Sequence, residues 1–262
     1  MYICHLHNFS HLSTINSKQI KNMGTTSKLN LAIVFAILLM SCEKDTVTAS
    51  EEITTKDYEF SSYTSLEVND NFKVYINFSE TEEKLRVQAN DNLHKYILVN
   101  KESNKLTVKL DKVRRIKGKE TLNVFITTKS IDNFTVKGNA KLELEDPLET
   151  ENLKIYLSGN SFFTGALATQ KLDLVSSGNC MIDFSGSVKN MEVELDGNCE
   201  LSDYDLSVET LKIDLSGNSN AYLTVNNSIS IDASGNSVLS YKGSANIAHQ
   251  KLSSGSKIVK KG

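Results

Sequence analysis

The sequence predicts an all-β protein: a right-handed parallel β-helix, a single solenoid of about 20 residues per coil, with a more irregular β-rich N-terminal half. Three observations carry this prediction. Gly-Asn recurs at Gly138-Asn139, Gly159-Asn160, Gly178-Asn179, Gly197-Asn198, Gly217-Asn218 and Gly235-Asn236, at intervals of 21, 19, 19, 20 and 18 residues, with a degenerate copy at Gly255-Ser256. The copies from the second to the sixth close period-2 runs: LKIYLSGN, LDLVSSGN, MEVELDGN, LKIDLSGN and ISIDASGN. After each of the six stands a small residue (Ala140, Ser161, Cys180, Cys199, Ser219, Ser237), and two positions on Leu142, Phe163, Ile182, Leu201, Ala221 or Leu239.

Alternation along a strand sends successive side chains to opposite faces. Leu153, Ile155 and Leu157 therefore point inward, as do Leu172, Leu174, Met191, Val193, Leu195, Leu211, Ile213, Leu215, Ile229 and Ile231. Each repeat thus supplies two inward runs around a Gly-Asn corner. Glycine supplies the positive φ that a corner needs, and asparagine tolerates left-handed geometry better than most residues. A hairpin would favour Asn-Gly. In a parallel stack, equivalent residues lie about 4.8 Å apart. Asn139, Asn160, Asn179, Asn198, Asn218 and Asn236 can then form a structural amide ladder along the axis.

Upstream, strand-like runs start near Leu66, Leu85, Leu106, Leu122 and Phe134, without the Gly-Asn mark. Residues 58–133 read as irregular coils or a cap, and 134–262 as regular coils. Asn90-Asp91-Asn92 and Ser103-Asn104 read as turns. Lys257, Lys260 and Lys261 would discourage edge-to-edge association at the far end.

The N-terminus carries an address. Leu29 to Met40 form an apolar run preceded by Lys28, too short for a membrane span, which needs about 20 residues. It ends in Leu39-Met40-Ser41-Cys42, which resembles a bacterial lipobox with Cys42 as the lipidated residue. Met23 is the better start, so 23–41 reads as the signal peptide and 1–22 as a dispensable upstream segment. Cys4, His5, His7 and His11 of that segment are discounted as a metal site. Residues 42–57 are polar and read as a flexible tether. Glu43-Lys44-Asp45 resembles a surface-export signal, and Asp45-Thr46-Val47 an O-glycosylation sequon, of Bacteroidetes lipoproteins. An ordinary soluble tether accounts for both equally well.

The formal net charge of -3 leaves no basic excess to neutralise nucleic-acid phosphates. The basic run Lys112, Arg114, Arg115, Lys117 and Lys119 lacks interleaved aromatics and reads as a solvated loop. Chemistry would sit on the outward rows. One reads Lys154, Asp173, Glu192, Lys212, an ordinary alternation of charge. The next reads Tyr156, Val175, Glu194, Asp214, Asp232, with Asp196 close by. Glu194, Asp214 and Asp232 could share a Ca²⁺ ion, or form a solvated acidic face. Tyr156 and Val175 before the corner, and Phe162 and Met181 after it, are candidates for an exposed interaction patch. Cys180 and Cys199 fall on adjacent inward positions. Parallel Cβ vectors favour two stacked thiols over a disulfide.

An enzyme would need an acid–base pair on one outward groove. Beyond the signal only His94 and His249 are present, there is no Trp, and no Arg follows Arg115. The composition therefore favours a non-catalytic envelope lipoprotein, a binding module. The alternatives are a polysaccharide lyase-like enzyme and a purely structural envelope component. The expected partners are the membrane, through the lipid anchor, and a glycan or envelope protein, with no nucleic acid. The expected location is the outer membrane, with the solenoid facing either the cell surface or the periplasm.

The lipobox, the run Phe60 to Ile76, the strand Leu106-Thr107-Val108-Lys109 and the repeated SGN together resemble the head-GIN domain family, common in Bacteroidetes and described as auto-transporter adhesins. The resemblance spans roughly residues 58 to 243. It implies a β-helix in the cell envelope and brings no catalytic residues with it.

Overall fold

The computed structural model describes residues 46–262 except 112, 114 and 203. The expected signal peptide and Cys42 lie outside the described residues. The chain forms a β-solenoid of about seven turns of stacked parallel coils. The irregular half contains β1 (Thr46–Thr48), β2 (Ile53–Tyr58), β3 (Ser65–Val68), β4 (Lys73–Phe78), β5 (Lys84–Asn90), β6 (Ile97–Glu102), β7 (Lys105–Leu110), β8 (Arg115–Lys117) and β9 (Leu122–Thr128). The regular half runs through β10 (Asn133–Val136), β11 (Lys141–Leu144), β12 (Leu148–Gly159), β13 (Phe162–Gly178), β14 (Met181–Gly197), β15 (Glu200–Ser202), β16 (Leu206–Leu215), β17 (Asn220–Ala233), β18 (Val238–Lys242), β19 (Asn246–Leu252) and β20 (Lys257–Lys260).

In the regular half the register is the one the repeat demands. Leu153, Leu172, Met191, Leu211 and Ile229 follow one another on adjacent rungs, and all are buried. So are the small residue after every Gly-Asn and the residue two positions beyond it. A coil holds three inward runs, one more than the alternation around Gly-Asn indicates. Along β13 these are Phe163, then Leu167 and Thr169, then Leu172, Leu174 and Ser176. The middle run stacks as Thr150, Thr169, Val188, Val208 and Val225. It escapes a sequence reading because it is short and carries polar members. Phe134, Phe163 and Phe184 meet edge to face with centroids 5.0 Å apart, so aromatic rings fill the centre of the first regular coils.

The irregular half is both a coil and a cap. β3 lies between β7 and β10, and β4 between β9 and β11, all parallel. The coil at Ser65–Phe78 is thus inserted between Lys105–Thr128 and Asn133–Leu144, so order in space departs from order in the chain. Glu67 pins this insertion, accepting from Lys105 on one side at 3.0 Å and Lys137 on the other at 3.2 Å. The outer edge is then closed by reversal. β6 pairs antiparallel with β7, β5 with β9, and β2 with β5. Antiparallel strands laid over the end cover an edge that would otherwise template association.

The tether expected over residues 42–57 is corrected from Thr46 onward. β1 pairs with β8, and β2 forms the outermost strand of the cap. Edge pairing uses main-chain groups and needs few apolar side chains. Ile53, Thr54 and Thr55 also carry the β-branching that suits a strand. Part of the basic run expected as a loop is likewise a strand, Arg115–Lys117.

The corners set the stack. Gly159 has φ +83° and Gly178 φ +103°. A Cβ on Gly178 would stand 2.6 Å from the Gly159 carbonyl oxygen, and one on Gly159 2.5 Å from that of Gly138. From Gly159 to Gly235 the corners therefore need both the left-handed region and the absence of a side chain. Asn160 N–H donates to Gly138 O at 2.6 Å, and Asn179 N–H to Gly159 O at 2.7 Å. The carboxamides form a second line of bonds. Nδ2 of Asn160, Asn179, Asn198 and Asn218 donates to Oδ1 of the preceding asparagine at 2.8 to 2.9 Å, and Asn236 to Asn218 at 3.4 Å.

Gly178→Ala is expected to cost more than about 2 kcal/mol, because strain and collision add. Asn179→Ala, at an exposed position, is expected to cost about 1 kcal/mol. Urea denaturation of the two variants checks the order, and equal losses would contradict it.

Candidate binding surface

The corner begins earlier than Gly-Asn indicates. Asp70 occupies the glycine position with φ +66°, and Asn71 the asparagine position. Asn139 Nδ2 donates to Asn71 Oδ1 at 2.8 Å, and Asn71 Nδ2 to Glu120 Oε1 at 2.7 Å. The Asp70 carboxylate accepts the Leu110 N–H of the coil below at 2.7 Å, a bond glycine could not make. Burial raises the Asp70 pKa, with that N–H and Lys109 opposing it. The pair Asp70-Asn71 was the only available signal. At the other end the degenerate corner is displaced by one residue. Ser254 takes the positive φ of +58°, Gly255 stands at the asparagine position, and Ser256 at the small one. Gly255-Ser256 is therefore corrected as the site of the copy.

At four of the corners the small residue is a donor as well as small. Ser161 Oγ donates to Ser158 O at 2.7 Å, Cys180 Sγ to Ser177 O at 3.3 Å, Cys199 Sγ to Asp196 O at 3.2 Å, and Ser237 Oγ to Ser234 O at 2.8 Å. Each bond spans three residues and closes the corner from inside. Cys180 and Cys199 are free and buried. Hydrogen bonding shared with the Cys199 thiol lowers the Cys180 pKa against burial. That same shared bond, followed by burial, raises that of Cys199.

The outward rows carry the variable chemistry. Before the corner, adjacent rungs present Tyr156, Val175, Glu194, Asp214, Asp232 and then Lys251. The expected calcium ladder would draw on Glu194, Asp214 and Asp232 of this row. Among the described residues no three His, Cys, Asp or Glu side chains converge on a metal-binding group. Basic side chains of the protein meet the row. A register shift after Ile229 sets His249 against Asp232, with Nε2 to Oδ1 at 2.9 Å. Lys251 stands on the next rung, and Lys212 is paired with Glu192 at 2.5 Å. Asp196 accepts from Ser216. The shallow groove along this row is lined by Glu194, Asp214, Asp232, Ser216, Ser234 and Lys251. Sequence alternation placed the carboxylates but could not foresee the bulge that delivers His249.

The four apolar candidates fall on two faces. Tyr156 and Val175 share a row before the corner, at 39% and 38% exposure. Phe162 and Met181 share a row after it, with Met181 half exposed and Phe162 partly buried. Lys137 lies 6.0 Å from the Tyr156 ring centroid. Each apolar pair is two rungs tall, and charged residues follow at Glu194 and Glu200. The other histidine, His94, is buried in the cap, its Nε2 3.2 Å from Thr54 O.

This solenoid with an amide ladder and varied outer rows belongs to a known class. The family model described as putative auto-transporter adhesin, head GIN domain, matches residues 62–245, and the chain is a member of that family. Its description is that of a cell-envelope or surface protein. A crystal structure of a putative adhesin from Bacteroides fragilis is similar with a TM-score of 0.73 and 22% identity, covering 82% of this chain and 97% of that one. A putative adhesin from Parabacteroides merdae gives 0.67 and 18%, over 83% and 100%. A putative lipid binding protein from Parabacteroides distasonis gives 0.64 and 16%, over 83% and 100%. At these identities the likeness is one of fold. No curated relative matches the chain. No helix among the described residues is long and apolar enough to cross a membrane.

Cys180→Ser is expected to change stability by less than about 1 kcal/mol, since serine fills the same position at Ser161 and Ser237. Cys180→Ala removes the donor to Ser177 O and is expected to cost about 1 to 2 kcal/mol. Thermal melts of both variants, with the serine variant clearly the more stable, are the expected outcome.

Proposed function

We propose that this protein is a non-catalytic binding module, an adhesin of the outer membrane, anchored through a lipid on Cys42 and displaying its solenoid as a recognition surface for a glycan or another envelope protein. The observation that carries this reading is a division of labour along each coil. The repeated positions are absorbed by the core and the corner, whereas the outward row Tyr156, Val175, Glu194, Asp214, Asp232, Lys251 changes from rung to rung. A rigid surface with non-repeating chemistry suits recognition. His249 is held by Asp232, and His94 is buried in the cap. One similar structure is named a putative lipid binding protein. Here the packed Phe134–Phe163–Phe184 stack fills the first regular coils, which directs any ligand to the outside.

The anchor is tested by feeding cells an alkyne fatty acid. The full chain is expected to take up label, and Cys42→Ser to lose both label and membrane association. Label retained by Cys42→Ser would contradict the proposal. In parallel, the full chain is expected to bind members of a glycan or envelope-protein array while releasing no new reducing ends from polysaccharides.

A further inference from the structure

We propose that a notch on the face after the corner, between β4, β11 and β13, binds an acidic saccharide, seating a carboxylate or sulfate group between Lys73 and Lys141. The inference rests on the binding-module reading and gives it a site and a ligand class. Lys73 and Lys141 are register partners on adjacent parallel strands, and both are exposed. Like charges in that relation repel. Elsewhere the solenoid answers such lysines: Lys105 and Lys137 share Glu67, Lys171 meets Asp173, and Lys212 meets Glu192. Among the described residues, the ion pairs include neither Lys73 nor Lys141. Two ammonium groups one rung apart, in no ion pair among the described residues, form a site for a bound anion.

The surroundings select the class of anion. The notch has a volume of about 160 Å³ and is lined by Lys73, Tyr75, Lys141, Glu143 and Phe162. Tyr75 stacks on Phe125 with centroids 5.3 Å apart and planes 15° from parallel, which makes an aromatic wall two rungs tall. Phe162 is the register partner of Lys141 on the opposite side from Lys73. Along the axis the lysine pair is thus flanked by the partly exposed Phe162 ring on one side and Asn123 on the other, with the Tyr75–Phe125 wall two residues further along the strands. Aromatic surface offers a platform for the C–H face of a pyranose, the lysines take its acidic substituent, and Glu143 can accept from its hydroxyls. An anionic bilayer would also attract the lysines. A bilayer, however, has no use for the ring walls, so the saccharide is favoured.

The test is calorimetric titration of the full-length protein with oligogalacturonate, heparin-derived oligosaccharide, neutral maltooligosaccharide and phosphatidylglycerol vesicles, each at low and high salt. Binding of one acidic oligosaccharide, weakened by salt, is expected, with the carboxylate and sulfate arms telling which group is read. Lys73→Gln/Lys141→Gln should weaken it at least about tenfold, and Phe162→Ala about threefold or more. The melting temperature of the double lysine variant should not fall, since a like-charge contact is removed. Unchanged affinity in the double variant, equal binding of the neutral oligosaccharide, or binding of vesicles alone would overturn the proposal. Array ligands still bound by the double variant with wild-type affinity would sink the notch and leave the binding-module reading standing. A wild-type protein that binds no array member would sink both.

Discussion

Every regular coil of this protein turns at a residue whose backbone presses on the corner beneath it. At Gly159 and Gly178 the space for a Cβ is already occupied by the previous coil's carbonyl oxygen. This contact fixes the rise between coils, and with it the register of everything else. Once the corners are superposed, the N–H of each asparagine meets the carbonyl of the glycine one coil earlier, and the carboxamides fall into line. The inward rows then stack like on like, and Phe134, Phe163 and Phe184 interlock at the centre. The hydrophobic effect supplies the bulk of the driving force. The corner decides which of many compact arrangements receives it.

The two ends show what happens where the constraint relaxes. Asp70 adopts the corner conformation without being glycine, and its carboxylate reaches the Leu110 N–H below. Ser254 does the same at the last corner, with Gly255 moved to the neighbouring position. The solenoid is also treated differently at its two ends. Near the N-terminus β2, β5 and β6 reverse direction and lie over the edge. At the C-terminal end β19 and β20 pair in parallel with β17 and β18, and the lysines of Lys257–Lys260 stand at that edge.

How much of this was legible follows from which residues repeat. Leu153, Ile155 and Leu157 announce an inward face because alternation is a local property, and the six Gly-Asn corners announce stacking because a solenoid repeats its geometry. The inserted coil at Ser65–Phe78 left only Asp70-Asn71 as a trace, since insertion depends on contacts some 40 to 70 residues apart, such as Glu67 with Lys105 and Lys137. The edge strand Ile53–Tyr58 was hidden by its polarity, for main-chain pairing leaves little mark on composition. Likewise His249 reaches Asp232 only through a register shift, which alternation cannot foresee. The outer carboxylate row was placed correctly as geometry, and its chemistry changed once the neighbouring cations were known.

The surface and the scaffold are thus separable: the corners and core hold the coils, and the outward rows are free to differ. The most direct test of that scaffold is the order of the asparagine ladder, read by NMR from couplings across hydrogen bonds or from side-chain amide contacts. The account predicts the sequence Asn71, Asn139, Asn160, Asn179, Asn198, Asn218, Asn236, each asparagine touching only the next. An Asn139 side chain without contact to Asn71, or carboxamides turned individually to solvent, would contradict both the inserted coil and the corner that the rest of the fold depends on.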